Sequence, residues 1–208
     1  MLELTAAEED VFFQVFRERH GITGLSRDWD GYRIRNDEDI VREILARHLG
    51  VDTGWEDARD AYVERLARSG LPAPAIPGAA LLLAELRRRG LALGIATANF
   101  LGAARHRLER AGLWNSVGAL AAGADGGGHK RAILARAIAR TGLAPERIAY
   151  LGDNLNDIDA GLANGVRLIG FSEDENRRGL LRRAGAPVVV GSHADSLQAI
   201  RAVLTSSA

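Results

Sequence analysis

Two aspartates lie in the segment GDNLND, residues 152–157, directly after the apolar run 148–152. Asp153 follows that run, and Asp157 comes one helical turn later, so both carboxylates can face one point at the start of a helix. Mg²⁺ is commonly held by one or two carboxylates, with water and substrate phosphate completing its octahedron. Asp153 and Asp157 are therefore the candidate metal ligands. The alternative is an aspartate that only caps a helix.

A hydroxyl and an ammonium group occupy comparable places elsewhere in the chain. Thr97 ends the apolar run 91–97 and is followed by Ala98 and Asn99. A threonine hydroxyl and free backbone amides at a strand end can bind a phosphate oxygen. Lys130 begins a helical pattern, where its charge is unfavourable beside the positive end of the helix dipole, which indicates either a functional or a fully solvated lysine. The candidate catalytic residues are Thr97 and Lys130, and the candidate phosphate-binding residues are Thr97, Ala98, Asn99 and Lys130.

The elements that must position these residues alternate along the second part of the chain. Short apolar runs predict strands, and periodic segments between them predict helices. The predicted strands are 91–97, 117–121, 148–152, 166–171 and 187–190, and the helices lie near 79–89, 101–111, 130–141, 156–164, 174–184 and 194–204. This alternation predicts an α/β fold, a Rossmann-like parallel sheet with helices on both faces. Such sheets bind ligands at the carboxyl ends of their strands, where the candidate residues lie.

The first part of the chain reads as helical throughout. Thr5 and Glu8 have the spacing of a capping box at the start of a first helix, and Thr53 and Glu56 repeat it before a third. A second helix is predicted over 37–49. The proline-rich segment 71–78 breaks any helix and suits a stiff connector. We therefore predict two domains, a helical one over 1–72 and an α/β core over 73–208.

Composition excludes several classes of function. Lys+Arg and Asp+Glu number 27 each, so no overall basic field favours nucleic acid or an anionic membrane. The absence of cysteine excludes disulfides, thiol catalysis and zinc–thiolate sites. No apolar run approaches the roughly 20 residues that span a bilayer, and the acidic first residues lack the basic region of a secretion signal. We expect a cytoplasmic protein that binds no nucleic acid or membrane, as a monomer or homodimer.

The order of a strand ending in Thr97, then Lys130, then a strand followed by GDxxxD at 152–157 resembles the haloacid dehalogenase-like hydrolases, which are mainly Mg²⁺-dependent phosphatases. The resemblance covers nearly the whole chain, and the helical region 1–72 looks like their small inserted cap. It implies that Thr97 binds the transferring phosphoryl group, that Lys130 stabilises its charge, and that Asp153 ligates Mg²⁺ while Asp157 completes or orients the metal site. The implied substrate is a small phosphorylated metabolite, such as a phosphoglycolate-like or sugar-phosphate ester.

One motif of that family is missing. The family's first strand ends in DxDGT, which carries the nucleophile and the general acid/base, and the 208 residues contain no such motif. In the family this strand lies between those ending at Thr97 and Asp153. With strands about 4.8 Å apart, its loss leaves a gap near 10 Å wide, and each buried unpaired backbone group costs about 1–3 kcal/mol. We expect the first core strand to be absent and the 208 residues alone to be poorly stable and inactive.

The missing motif leaves two readings open. The chain is either a phosphatase whose start has been set too late, or a catalytically dead binding or regulatory module that keeps the phosphate and metal site. A metal-independent dehalogenase of the same fold is disfavoured by the Asp153 and Asp157 pair.

Substrate specificity is expected from the loop between the first two helices. It holds Trp29, Tyr32, Arg33 and Arg35. An arginine can bind a second anionic group of the substrate, and an aromatic ring can face a sugar or a base. The alternative is that the two aromatic rings pack within the helical region while the arginines are solvated.

Overall fold

The structure is a computed structural model and describes residues 5–205. Three helices come first: α1 (Ala6–His20), α2 (Asp37–Leu49) and α3 (Trp55–Arg68), with a short 3₁₀ turn at Trp29–Gly31. Their inner faces share one apolar cluster, in which the Phe12 ring packs edge-on against Phe16 and Tyr62. This cluster also contains Phe100, Ala103 and Ala124, from later in the chain. We refer to α1–α3 as the cap; its boundary at residue 72 stays a prediction.

The remaining residues form an α/β unit. Its elements are α4 (Ala79–Arg88), α5 (Leu101–Arg110), α6 (Trp114–Val117), α7 (Lys130–Thr141), β1 (Ala149–Gly152), α8 (Leu155–Asn164), β2 (Arg167–Phe171), α9 (Glu175–Arg183), β3 (Val188–Val190) and α10 (His193–Thr205), with 3₁₀ turns at Gly118–Leu120 and Pro145–Arg147. The strands pair in parallel in the order β1-β2-β3. The predicted α/β fold with a parallel sheet is confirmed.

Helices cover both faces of this sheet, as predicted. Ile169 of β2 packs on one side, in a cluster with residues of α4 and α10 such as Leu86 and Ile200. The adjacent Leu168 faces the other side and packs with Ile158 of α8 and Leu181 of α9. Side chains alternate between the faces of a strand, so β2 is buried on both. Within residues 5–205, no helix is long and apolar enough to cross a membrane.

Two predicted strands are wrong. The segment 91–97 forms no strand, and only Ala96 forms a bridge, in parallel with Ala122. A strand is defined by its hydrogen bonds to neighbouring strands, and among the described residues this segment forms a single bridge of that kind. The segment 117–121 is helical instead, because α6 leads directly into a 3₁₀ turn. The Trp114 ring lies where a side chain on Gly118 would sit, 2.4 Å from the position of its Cβ, so the turn closes under the ring.

Helix starts were predicted with mixed success. The Thr5 hydroxyl accepts a hydrogen bond from the Glu8 amide, and the Glu8 carboxylate accepts one from the Thr5 amide, so the first capping box is confirmed. The second is wrong. Helix α3 begins after Gly54, whose φ of 81° lies in the left-handed region that glycine adopts without strain. This backbone turn, rather than the Thr53 side chain, sets the start of α3.

Candidate active site

Lys130 connects two parts of the site. It is the first residue of α7, and its Nζ donates a hydrogen bond to the Ala96 carbonyl at 2.9 Å. The same Nζ lies 3.0 Å from Asp157 Oδ1. The lysine is mostly buried, so these contacts offset its unfavourable place beside the helix dipole. One cation therefore joins the residue before Thr97 to the GDNLND segment.

The GDNLND segment folds as a tight turn from β1 into α8. Asp157 accepts hydrogen bonds at Oδ2 from the amides of Asp153 (3.2 Å) and Asn154 (3.1 Å), and at Oδ1 from the Tyr150 hydroxyl (2.6 Å). A Cβ on Gly152 would lie 2.4 Å from that of Asp157, so only glycine fits there. Both carboxylate oxygens of Asp157 are thus occupied by groups of this chain. Asp157 therefore also caps the first turn of α8, the alternative role considered for it above.

The two carboxylates of this turn differ in charge state. Burial by itself would raise the pKa of Asp157, but the Lys130 charge and the hydrogen bonds outweigh it, and the pKa lies below its ordinary value. For Asp153, burial and then repulsion from Asp157 both raise the pKa. Among the described residues, the Asp153 carboxylate receives one side-chain hydrogen bond, from Asn154 Nδ2, 3.2 Å from Oδ1. Among residues 5–205, no cation forms an ion pair with the Asp153 carboxylate, whereas Lys130 pairs with Asp157. Of the two, Asp153 would therefore gain more from a bound cation.

The loop after Thr97 is shaped by its own side chains and by the cap. The Thr97 hydroxyl accepts a hydrogen bond from the Asn99 amide at 3.2 Å. The Asn99 side chain contacts Asp37 and Arg107, and the Phe100 amide donates to Asp37. Among residues 5–205, no acceptor is hydrogen-bonded to the Ala98 amide. The Thr97 hydroxyl also donates a long hydrogen bond of 3.5 Å to Asn99 Oδ1. The groups best able to meet a phosphate oxygen are therefore the Ala98 amide and this weakly held hydroxyl.

A cavity of about 340 Å³ opens at the carboxyl ends of β1 and β2. Asp153, Asn154 and Arg177 are among its lining residues, whereas Thr97 and Lys130 are not. Arg177 Nη2 donates to Asn154 Oδ1 at 2.6 Å, which places a positive charge at the rim. In the described part of the chain, no three histidine, aspartate or glutamate side chains are grouped closely enough to hold a metal ion together.

The four residues predicted to set specificity lie within the cap. Trp29 stacks on Phe13 at 5.3 Å, and Tyr32 is buried with its hydroxyl donating to the Ser26 carbonyl at 3.0 Å. Arg33 is exposed, and Arg35 forms an ion pair with Asp30 at 2.5 Å. Among the described residues, no hydrogen bond or ion pair joins any of these four side chains to Thr97, Lys130, Asp153 or Asp157.

Two residues at this site were missed by sequence reasoning. Asp37 begins α2 in the cap, and Arg107 lies in α5, yet both contact Asn99 in the loop after Thr97. Asp37 stands in an acidic first turn that reads as ordinary helix capping. Arg107 is one of several arginines in its helix, and no spacing sets it apart. Only the packing of the cap against α5 reveals them.

Comparison with known proteins places these features in a family. Residues 4–165 match the family model described as haloacid dehalogenase-like hydrolase. The chain is similar to the phosphoglycolate phosphatase of Synechococcus elongatus, with 32% identity over 158 residues that cover 75% of this chain and 74% of that protein. It is also similar to the tyrosine-protein kinase PtkA of Mycobacterium tuberculosis, with 30% identity over 76% of this chain and 55% of that protein.

A solved structure agrees with these matches at the level of the fold. The crystal structure of CbbY from Rhodobacter sphaeroides in complex with phosphate superposes with a TM-score of 0.69 at 22% sequence identity. The superposition covers 97% of this chain and 94% of that one. It therefore includes both the cap helices and the sheet.

Proposed function

The chain belongs to the haloacid dehalogenase-like hydrolases, and from that premise we propose that its site handles the phosphoryl group of a small phosphorylated metabolite in Mg²⁺-dependent phosphomonoester hydrolysis. The observation that carries this proposal is the position of Lys130, which bonds both to Ala96 and to Asp157. The Thr97 hydroxyl, the Lys130 ammonium group and a carboxylate after β1 can surround the charge that develops on a transferring phosphoryl group.

Each phosphate-binding residue has its own part in this proposal. The Thr97 hydroxyl and the Ala98 amide donate to phosphoryl oxygens, and the Lys130 ammonium offsets their charge. Asp157 keeps Lys130 in place, because its Oδ1 is the partner of that ammonium. The Asn99 side chain is held by Asp37 and Arg107, so its part is to shape the loop.

The residues of the GDNLND turn fit a magnesium ion through one carboxylate. Asp153 has a raised pKa because burial and Asp157 oppose its charge, and a bound cation would relieve both effects. Both oxygens of Asp157 are already occupied by hydrogen bonds, so we assign Asp153 as the direct ligand and Asp157 as the residue that orients the turn. Mg²⁺ accepts few protein ligands when water and phosphate supply the others. When bound, it would neutralise charge on the phosphoryl oxygens.

We propose that the 208 residues alone do not hydrolyse phosphate esters, because they contain no DxDGT motif. The sheet supports this reading, since among the described residues β1 pairs only with β2. In the family's chemistry, the first aspartate of that motif attacks phosphorus and the P–O bond to the leaving alcohol breaks, which gives an aspartyl-phosphate. The second aspartate protonates the leaving oxygen and then takes a proton from the attacking water.

A second candidate function is a phosphate-binding or regulatory module without turnover. Among the described residues, no third acidic side chain lies close enough to Asp153 and Asp157 to share a metal ion with them, which favours this function. Under either function, the cap loop with Trp29, Tyr32, Arg33 and Arg35 is proposed to select the rest of the ligand. Arg33, which is exposed, is the residue best placed to meet a second anionic group.

The test compares the 208-residue chain with the same chain preceded by a short apolar strand ending in Asp-x-Asp-Gly-Thr. Release of inorganic phosphate from a panel of small phosphomonoesters is measured with and without Mg²⁺. We expect activity only in the extended chain with the metal present. There, Asp153→Asn should lower the rate at least about 100-fold, as the loss of a key electrostatic group often does.

The control variant is Asp159→Asn, because Asp159 lies on α8, just after the turn that holds Asp153, in an exposed ion pair with Arg131. It should keep nearly full activity. Phosphate binding without turnover in both chains would instead favour the binding module. Hydrolysis by the 208 residues alone would show that a nucleophile other than DxDGT is present.

A further inference from the structure

Asp37 of the cap binds the loop that follows Thr97. Its Oδ2 accepts a hydrogen bond from the Phe100 amide at 2.7 Å, and its Oδ1 accepts one from Asn99 Nδ2 at 3.3 Å. Its own amide donates to the Ala98 carbonyl at 2.9 Å. A single residue at the start of α2 therefore contacts three consecutive residues of the loop.

Arg107 holds the same loop from the other side. Its Nη1 donates to Asn99 Oδ1 at 3.1 Å, its Nε to Glu8 at 2.8 Å and its Nη2 to the Tyr62 hydroxyl at 2.7 Å. Glu8 and Arg107 are 2% and 6% exposed, so this ion pair is buried. Arginine suits such a place because its planar fork serves several acceptors at once. One side chain thus links α1, α3 and the loop.

Phe100 fixes the far end of the loop in the cap. It is fully buried and stacks on Trp55 at 6.2 Å with an interplanar angle of 13°. It also belongs to the apolar cluster formed by α1–α3. The loop that begins at Thr97 therefore ends inside the cap, so the two cannot separate without exposing a phenylalanine.

We propose that Asp37 and Arg107 are positioning residues, through which the cap sets the conformation of the loop after Thr97. The expected effect on phosphate affinity rests on the function proposed above. The expected effect on the conformation of the loop does not. A carboxylate accepts the Asn99 and Phe100 bonds on separate oxygens, whereas an amide has a single acceptor oxygen. Asparagine at position 37 would have to give up one of the two.

The charges around Asp37 support this role. The charged or titratable groups facing it are Arg107 from α5, Tyr62 from α3 and Asp125 from the loop before α7. Burial raises the pKa of Asp37 to about 6, although the Phe100 amide and Arg107 oppose that rise. Such a carboxylate is unfavourable for stability when ionised, and groups of this kind are retained at sites where their charge has a use. Protonation would weaken its acceptor bonds, since charge-assisted hydrogen bonds are about twice as strong as neutral ones.

The experiment follows the loop directly by NMR on the ¹⁵N-labelled 208-residue chain. In the unchanged protein, the Phe100 amide should shift with a midpoint near pH 6, and Asp37→Asn should abolish that titration. The same variant should speed hydrogen exchange of the Asn99 and Phe100 amides about tenfold. Asp57→Asn, on an exposed residue of α3 paired with Arg19, should change neither.

A second variant covers the case in which a single change at Arg107 prevents folding. The double variant Glu8→Gln with Arg107→Met removes both buried charges together, and it should also speed exchange in the loop. Binding of inorganic phosphate should weaken about tenfold in this variant and in Asp37→Asn, whereas Arg105→Lys on the same helix should bind as before. Loop exchange that neither variant changes would overturn the proposal. Altered exchange in a chain that never binds phosphate would refute the proposed function and leave the link between cap and loop supported.

Discussion

The two segments that form this site, the turn after β1 and the loop after Thr97, are held in place in different ways. The turn at Asp153 is fixed by its own neighbours, because Asp157, Tyr150 and the local amides all lie within eight residues of one another. The loop after Thr97 is fixed by the cap: Asp37, 62 positions from Asn99, contacts it directly, and Arg107 connects it to Glu8, 99 positions from Arg107. The first therefore depends on local sequence, and the second on the packing of the cap. A substitution in the cap should disturb the second and spare the first.

Arg107→Met tests the distant support. The change leaves Glu8 buried without its partner charge and removes bonds to Tyr62 and Asn99. Breaking a buried pair on one side costs about 3–5 kcal/mol, so we expect urea unfolding to show a loss of that size. Arg105→Met is the matched control, since its ion pair with Glu109 is exposed and should contribute well under about 1 kcal/mol. Equal losses in the two variants would contradict the buried link.

Lys130→Met tests the link between the turn after β1 and the segment before Thr97. The substitution removes the only cation paired with Asp157 among the described residues, together with the bond to the Ala96 carbonyl. Hydrogen bonds to charged groups contribute about 1.5–3 kcal/mol each, and because Asp157 keeps its other three partners we expect a loss of about 2 kcal/mol. The neighbouring Arg131→Met, in an exposed pair with Asp159, should change the free energy of unfolding by less than about 0.5 kcal/mol. A Lys130→Met protein as stable as the unchanged one would mean that each of these two segments holds its position without the lysine.

The same contrast explains what the sequence predicted and what it did not. Helix α2 was predicted over the residues it occupies, and the GDNLND turn was identified correctly as the link from a strand to a helix, because periodicity and capping are local. The segments 91–97 and 117–121 failed as strands, since pairing depends on what lies beside them. Asp37 and Arg107 carried no local pattern that distinguishes them from other charged residues on helices.

Asp37→Asn should raise the free energy of unfolding at high pH, whereas Arg107→Met and Lys130→Met should lower it. The pKa of Asp37 is about 6 in the folded protein and 3.8 ordinarily, so between these values the folded state holds a proton that the unfolded state has released. The contribution of this group to the free energy of unfolding therefore falls as the pH rises from about 4 to 6. Above pH 6 the ionised carboxylate destabilises the folded protein. Because the side chain is partly exposed, we expect asparagine to gain only about 1 kcal/mol at pH 8 and nothing at pH 4. Urea unfolding at both pH values measures this, with Asp57→Asn as the control. A variant less stable than the unchanged protein at pH 8 would mean that attraction to Arg107 outweighs burial, and the loop would then be held by a favourable charge.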